Sequence, residues 1–325
     1  MFSCSIGGRA WALRRRTRDL MPAAVTRGGR ACLDRFRRAT HSARIEPSFF
    51  LIGASRCGTT SLYDLVTRHP GVGRAARKEI EYFDLHYCLR DPAWYRSHFP
   101  LSRPFDEIVT GEATPSYLLD PRVPARLARH YPEAKLIVLL RDPVDRAYSH
   151  WAHEVALGIE SLPFEQAIAA EAERTRGELK RMLADSSYVS WKYFKYTYLT
   201  RGRYADRLEP WLEHFPRHQL LALDFDHLAT DQLGVLRKVL EFLHLPAWVP
   251  RSVPVLNVGS YTPVNPQTAL RLADDFADAN DRLERLLGIE LSWNRARAGS
   301  GRIEQQAQPA AVRLSSRPRA RSAGR

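Results

Sequence analysis

Three short segments of this chain carry residues whose types and spacing could do chemistry on an anionic group. The first is Gly53-Ala54-Ser55-Arg56-Cys57-Gly58-Thr59-Thr60, built from small side chains, hydroxyls and one arginine. It joins an apolar run, Ser48–Gly53, to a helical pattern, Thr59–Arg68, that stops at His69-Pro70-Gly71. At a strand-to-helix turn of this kind, successive backbone N–H groups and the helix N-terminus cradle an anion. The loop shares the spacing of a nucleotide-triphosphate loop, but Thr59 stands where that loop carries the lysine that reaches the terminal phosphates. Triphosphate hydrolysis is thereby disfavoured. The cation has moved to Arg56, on the rising limb, where it could meet a single terminal anion and the oxygen bridging that anion to a leaving group. The second segment runs from Arg141 to Trp151, with an arginine ending a strand and Ser149 following on a helix. The third, Lys78-Glu79-Ile80-Glu81-Tyr82-Phe83-Asp84, offers a carboxylate that could take a proton.

These segments carry a family resemblance. Ser55–Leu62 resembles the 5′-phosphosulfate loop of sulfotransferases that use 3′-phosphoadenosine 5′-phosphosulfate (PAPS). Arg141–Trp151 resembles the 3′-phosphate site of the same family. Lys78–Asp84 resembles the Lys-Glu-x-x-Phe-Phe-Asp segment of the sulfotransferases acting on heparan-type glycans and of their bacterial relatives. The resemblance implies that Ser55, Arg56, Cys57, Gly58, Thr59, Thr60 and Ser61 hold the 5′ end of PAPS, and that Arg141 and Ser149 hold its 3′-phosphate. It also implies Glu79 as general base and Arg56 as the stabiliser of the leaving group, with no metal. The implied reaction moves a sulfonate group from PAPS to a hydroxyl or amine on a saccharide-like or small-molecule acceptor. In-line displacement at sulfur needs both functions: the acceptor loses a proton as it attacks, and charge builds on the departing phosphate oxygens.

The chain departs from the family pattern at several positions. Glu81 stands where the glycan enzymes often have histidine, and Ala113, in Gly111–Tyr117, stands where they often have lysine. Both changes remove cationic character, so a neutral or weakly anionic acceptor is expected in place of a heavily sulfated polymer. The family's late Lys-Gly-Arg phosphate loop has only Val258-Gly259-Ser260-Tyr261 as a stand-in by position. Arg201-Gly202-Arg203-Tyr204, followed by Leu208 and Trp211, matches a family segment as helix packing. The resemblance runs from about residue 48 to residue 293.

The elements that must position these residues alternate. Strands are predicted at Ser48–Gly53, Ile108–Gly111, Lys135–Leu140 and Gln219–Leu223, with helices at Thr59–Arg68, Pro124–Tyr131 and from Val144. Helical spacing recurs at Phe164–Leu183, Gly202–Phe215, Gln232–Leu243 and Gln267–Leu287. Strands separated by helices predict an α/β, three-layer, P-loop-like fold with a central parallel sheet flanked by helices. Tyr188–Tyr198 is aromatic-rich, with Lys192 and Lys195 interleaved and no clean period, and reads equally as an acceptor-binding lid or as an irregular buried segment.

The formal charge of +13 over 325 residues invites a nucleic-acid reading, but its distribution opposes one. Residues 1–45 contribute +9 and residues 295–325 contribute +7, leaving residues 46–294 at about −3. The expected organisation is a disordered basic tail over 1–45, a sulfotransferase domain over 46–294 and a second disordered basic tail over 295–325. No specific nucleic-acid partner is expected of the acidic middle. No apolar run reaches the ~18 residues of a spanning helix, and no secretory apolar stretch follows Arg14–Arg16. Four scattered cysteines, Cys4, Cys32, Cys57 and Cys88, form neither a disulfide framework nor a Cys-x-x-Cys metal site, so a cytoplasmic location is expected. Two rival readings are a P-loop nucleotide or sugar kinase, and a non-catalytic nucleic-acid-binding protein acting through its arginine-rich tails.

Overall fold

The computed structural model describes residues 32–102, 108–253 and 263–294. Strands β1 (Phe49–Gly53), β2 (Val72–Arg74), β3 (Val109–Ala113), β4 (Lys135–Leu140) and β5 (Leu220–Asp224) form one parallel sheet in the order β2-β3-β1-β4-β5. Every residue of β1 is buried, as is every residue of β4 after Lys135. A strand covered on both faces needs apolar side chains at consecutive positions, which is why these two read as unbroken apolar runs. Phe49 pairs with Gly111 of β3 on one side and with Lys135 of β4 on the other.

The layers around the sheet use α1 (Thr59–Val66), α2 (Val123–His130), α3 (Pro143–Ala156), α4 (Trp191–Tyr196), α5 (Tyr204–His214), α6 (Phe225–Thr230), α7 (Gln232–Phe242) and α8 (Pro266–Leu287). Helix α1 packs against α7, while α2 packs against α5 and α5 against α8. Residues from β1, β4, α1, α2, α5 and α7 share one apolar core. This is the three-layer α/β fold with a central parallel sheet that the sequence predicts.

Three departures have physical reasons. The helix predicted over Phe164–Leu183 is three short helices, Phe164–Ala169, Glu171–Arg174 and Glu178–Ala184. Glu171 is buried there and accepts the backbone N–H groups of Leu199 and Thr200 at 2.6 and 2.9 Å, and Gly177 restarts the chain from φ +75°. Strand β2 has only three residues, too few to show a period. The basic tail expected over 1–45 does not extend that far: residues 32–39 are helical, and Arg44 is buried. Its guanidinium donates to Phe99 O at 2.5 Å, Thr40 Oγ1 at 2.9 Å and Arg37 O at 3.2 Å. An arginine that satisfies backbone carbonyls looks, in sequence, like any other charge. Residues 1–31 and 295–325, and the segment Val258–Tyr261, lie outside the described residues. Among the described residues no helix is long and apolar enough to cross a membrane.

Candidate active site

Strand β1 lies between β3 and β4, so the chain leaves its carboxyl end toward one side of the sheet and returns on the other. Ligands of parallel sheets bind at such a switch point. Here the loops after β1, β3 and β4 open into one cleft of about 570 Å³.

The loop after β1 forms one wall. Gly58, the N-cap of α1, sits at φ +82°, and no side chain caps the helix. The N–H groups of its first turn therefore lack side-chain acceptors from the cap and carry the positive end of the helix dipole. A Cβ at Gly58 would stand 2.9 Å from the Phe225 ring, so the turn also needs glycine for space. Ser55, Arg56, Gly58, Thr59, Thr60 and Ser61 all line the cleft. Cys57, expected among them, does not. Its side chain is fully buried, 3.8 Å from Tyr204 Oη, and its N–H donates to Ala54 O at 3.3 Å. Burial pushes its thiol up to about 11, so it is a neutral packing group that shapes the loop from behind.

Helix α3 forms the second wall. Asp142 caps it by accepting from Val144 N at 2.8 Å, and Pro143 fixes its first turn. Arg56 Nε donates to Ser149 Oγ at 3.4 Å, so the predicted leaving-group cation and the predicted 3′-phosphate hydroxyl face the same space. Arg141, at the end of β4, lies 5.0 Å from the Phe225 ring centroid and reaches Asp145 at 3.3 Å. Its carbonyl accepts from Tyr204 Oη at 2.9 Å, which fixes the strand end.

Glu79 comes from the opposite side. Its N–H donates to Ala113 O at 3.0 Å, and its carboxylate, half exposed, pairs with Lys78. Both Glu79 (φ +57°) and Glu81 (φ +58°) adopt the left-handed conformation. Non-glycine residues held there cost about 1–3 kcal/mol each and cluster where side chains must be aimed. The strain is held by a buried network around Glu112, which accepts from Tyr95 Oη (2.7 Å), Thr114 Oγ1 (2.6 Å) and Tyr117 Oη (3.0 Å). Tyr117 Oη in turn accepts from Tyr82 N at 3.0 Å, tying the Glu79 segment to the end of β3. Glu81 also lines the cleft, its carboxyl raised by burial despite Arg77 at 3.6 Å. Asp84 is buried behind Ser116, which donates to it at 2.6 Å, and burial pushes its carboxyl up to about 7.

The sequence reading missed several residues of the cleft. Arg201, assigned there to helix packing, donates to Ser55 Oγ at 3.2 Å and to Thr197 Oγ1 at 3.1 Å. Desolvation, followed by the Arg146 charge, lowers it to about 10. A signal was available: no acid stands three or four residues to either side of it, so its partner had to be distant or a ligand. His150, His153 and Glu154 of α3 line the same space. Burial, then the Arg201 charge, holds His150 well below the usual imidazole range, and burial, then Arg56, lowers His153. The aromatic segment Tyr188–Tyr198 divides between the cleft and the core. Trp191, Phe194 and Lys195 line the cleft, whereas Tyr193 and Tyr198 are buried.

Residues 46–254 match the sulfotransferase domain family. The chain belongs to the sulfotransferase family. Over 204 residues it is 35% identical to mouse heparan sulfate glucosamine 3-O-sulfotransferase 3A1, covering 61% of this chain and 46% of that enzyme. It is 31% identical over 205 residues to the bifunctional heparan sulfate N-deacetylase/N-sulfotransferase 1 of Caenorhabditis elegans, covering 62% of this chain and 22% of that enzyme. The chain thus spans less than half the length of these two relatives. A crystal structure of a sulfotransferase from Alicyclobacillus acidocaldarius is similar with a TM-score of 0.64 at 30% identity, covering 77% of this chain and 99% of that one. Sulfotransferase membership leaves the kinase and nucleic-acid readings without support. Among the described residues, the cations at the cleft are Arg56, Arg141, Lys195 and Arg201, and the carboxylates are Glu79, Glu81 and Glu154.

Proposed function

We propose that this protein transfers a sulfonate group from PAPS to a hydroxyl or amine of a saccharide-type acceptor. The observation that supports the reading is that two sets of residues suited to anions, the α1 first turn and Arg141 with Ser149, share one cleft and meet at the Arg56–Ser149 contact of 3.4 Å. A donor with one anionic group would not need both. PAPS supplies a sulfonate activated by its anhydride bond to phosphate. The uncapped first turn of α1, with Ser55, Thr59, Thr60 and Ser61, binds the 5′ end, and Arg141 and Ser149 bind the 3′-phosphate. Glu79 accepts the proton of the acceptor as the new bond to sulfur forms. Arg56 and Arg201 stabilise the charge left on the phosphate oxygen as the sulfur–oxygen bond breaks.

Calorimetry with 3′-phosphoadenosine 5′-phosphate (PAP) and with ATP tests the donor assignment. Tight binding of PAP and weak binding of ATP is the expected result; ATP binding as tight as PAP would contradict it. Arg141→Ala should weaken PAP by about 1.5–3 kcal/mol, the range for a charge-assisted hydrogen bond. The same variant should hardly change the affinity for adenosine 5′-phosphosulfate, which lacks the 3′-phosphate. A loss that is equal for both ligands would place Arg141 elsewhere. We also propose a cytoplasmic location, supported by the free thiols of Cys32, Cys57 and Cys88 among the described residues.

A further inference from the structure

Glu154 is a buried carboxylate whose contacts are all long. It is 2% exposed, and its Oε2 has no hydrogen-bond partner. The nearest groups are His150 Nε2 at 3.4 Å from Oε1, and Lys195 Nζ at 3.4 Å from Oε2 and 3.5 Å from Oε1. His150 is held neutral by burial. A buried carboxylate ordinarily satisfies its oxygens with short, well-aligned donors, and leaving one without costs free energy. Glu154 lines the cleft, so the missing donor can come from a bound molecule. The donor-binding residues lie toward Ser149, one turn earlier on α3, which leaves Glu154 on the acceptor side.

The surroundings define what that molecule is. Trp191 stands at the lip with about half its surface exposed (53%), braced edge-on by Tyr196 at 5.5 Å between ring centroids. An exposed indole face stacks on the apolar face of a sugar ring. Three cations on this side are paired: Lys195 with Glu154, Lys78 with Glu79 and Arg77 with Glu81. These pairs offset positive charge that a sulfated chain would otherwise meet.

Resting on the sulfotransferase reading above, we propose that Glu154 and Trp191 select the acceptor, and that the acceptor is an unsulfated glycan presenting an amine or hydroxyl to Glu154 Oε2. Trp191 supports the ring, and Lys195, 3.4 Å from Oε2, holds the Glu154 side chain in place. Glu154 is a specificity residue; Glu79 remains the proton acceptor.

The test is calorimetric titration of the PAP-saturated enzyme with three probes: a chitosan oligosaccharide with free amines, the matching N-acetylated chitin oligosaccharide, and a heparin fragment of similar length. The parent should bind the two unsulfated probes at least ~10-fold more tightly than heparin, with the free amine preferred. Glu154→Gln keeps the size of the side chain but removes its charge. It should weaken chitosan binding by at least ~10-fold and, by releasing Lys195, improve heparin binding, while PAP affinity stays at the parent value. A merely structural Glu154 would move all ligands together. Trp191→Ala, at a position 53% exposed, should weaken both unsulfated probes alike. Heparin preferred by the parent, unchanged chitosan binding by Glu154→Gln, or no binding of any probe to the PAP complex would overturn the proposal. Failure of the parent to bind PAP would instead overturn the sulfotransferase reading on which it rests.

Discussion

Glu79→Gln is expected to lower the turnover of sulfonate transfer by about 10²–10⁴, the range attributed to general-base catalysis. Glutamine keeps the shape and the hydrogen-bonding capacity of the side chain and removes only its basicity. The backbone anchor, Glu79 N to Ala113 O, is untouched by the substitution, so the segment should hold its place. PAP affinity should stay within about twofold, because the carboxylate faces the acceptor side of the cleft. A glutamate that merely pairs with Lys78 at the surface makes a different prediction: a stability change of ~0–1 kcal/mol and normal turnover. Transfer assays at saturating PAPS and thermal melts on the one variant separate the two. If turnover survives, Glu81 is next in line, since it lines the same cleft with its carboxyl raised by burial. Asp84 ranks behind it, being sealed behind Ser116.

Arg56→Ala is expected to reduce turnover by about 10²–10³, the cost of removing one donor aimed at charge that develops in the transition state. Its φ of +71° holds the backbone in a conformation that turns the side chain across the loop to Ser149. The adenosine end should remain bound, because Arg141, Ser149 and the first turn of α1 are unchanged. PAP affinity should therefore fall much less than turnover. Arg56→Lys should recover part of the loss, since an ammonium supplies the charge without the planar fork. Equal losses in PAP affinity and in kcat/KM, with kcat unchanged, would make Arg56 a binding group only.

Much of this site was legible because its residues sit where strands end. The unbroken apolar runs of β1 and β4 marked the sheet, and the loop after β1 and Arg141 after β4 followed from them. Glu79 was legible through the family pattern; its left-handed backbone and the Glu112 network behind it were not, because such a network joins residues far apart in sequence. Arg201, His153 and Glu154 were missed for the same reason, and Lys195 was named only within a segment that read equally as lid or buried filler. Their roles come from α3, α4 and the turn before α5 converging over the cleft, and a period-based reading sees each only as a polar position on its own helix. Cys57 failed in the opposite direction. Its place in the loop motif suggested contact with the donor, while a small apolar side chain beside a tight turn packs inward, here against Tyr204. Arg44 shows how a basic stretch can be read as tail when one of its charges is in fact an anchor.

The most direct test of the account is a single-turnover reaction of the full chain with PAPS labelled in its sulfonate sulfur, run against unsulfated oligosaccharides, phenols, lipids and amines. Label is expected to leave PAPS and become covalently bound to an acceptor oxygen or nitrogen of the oligosaccharides, with one PAP released per label transferred. Glu79→Gln should retain bound PAPS and transfer its label about 10²–10⁴-fold more slowly. PAPS that binds tightly but gives up its label to no acceptor, or transfer that proceeds in Glu79→Gln at the parent rate, would contradict the assignment of this cleft and its base.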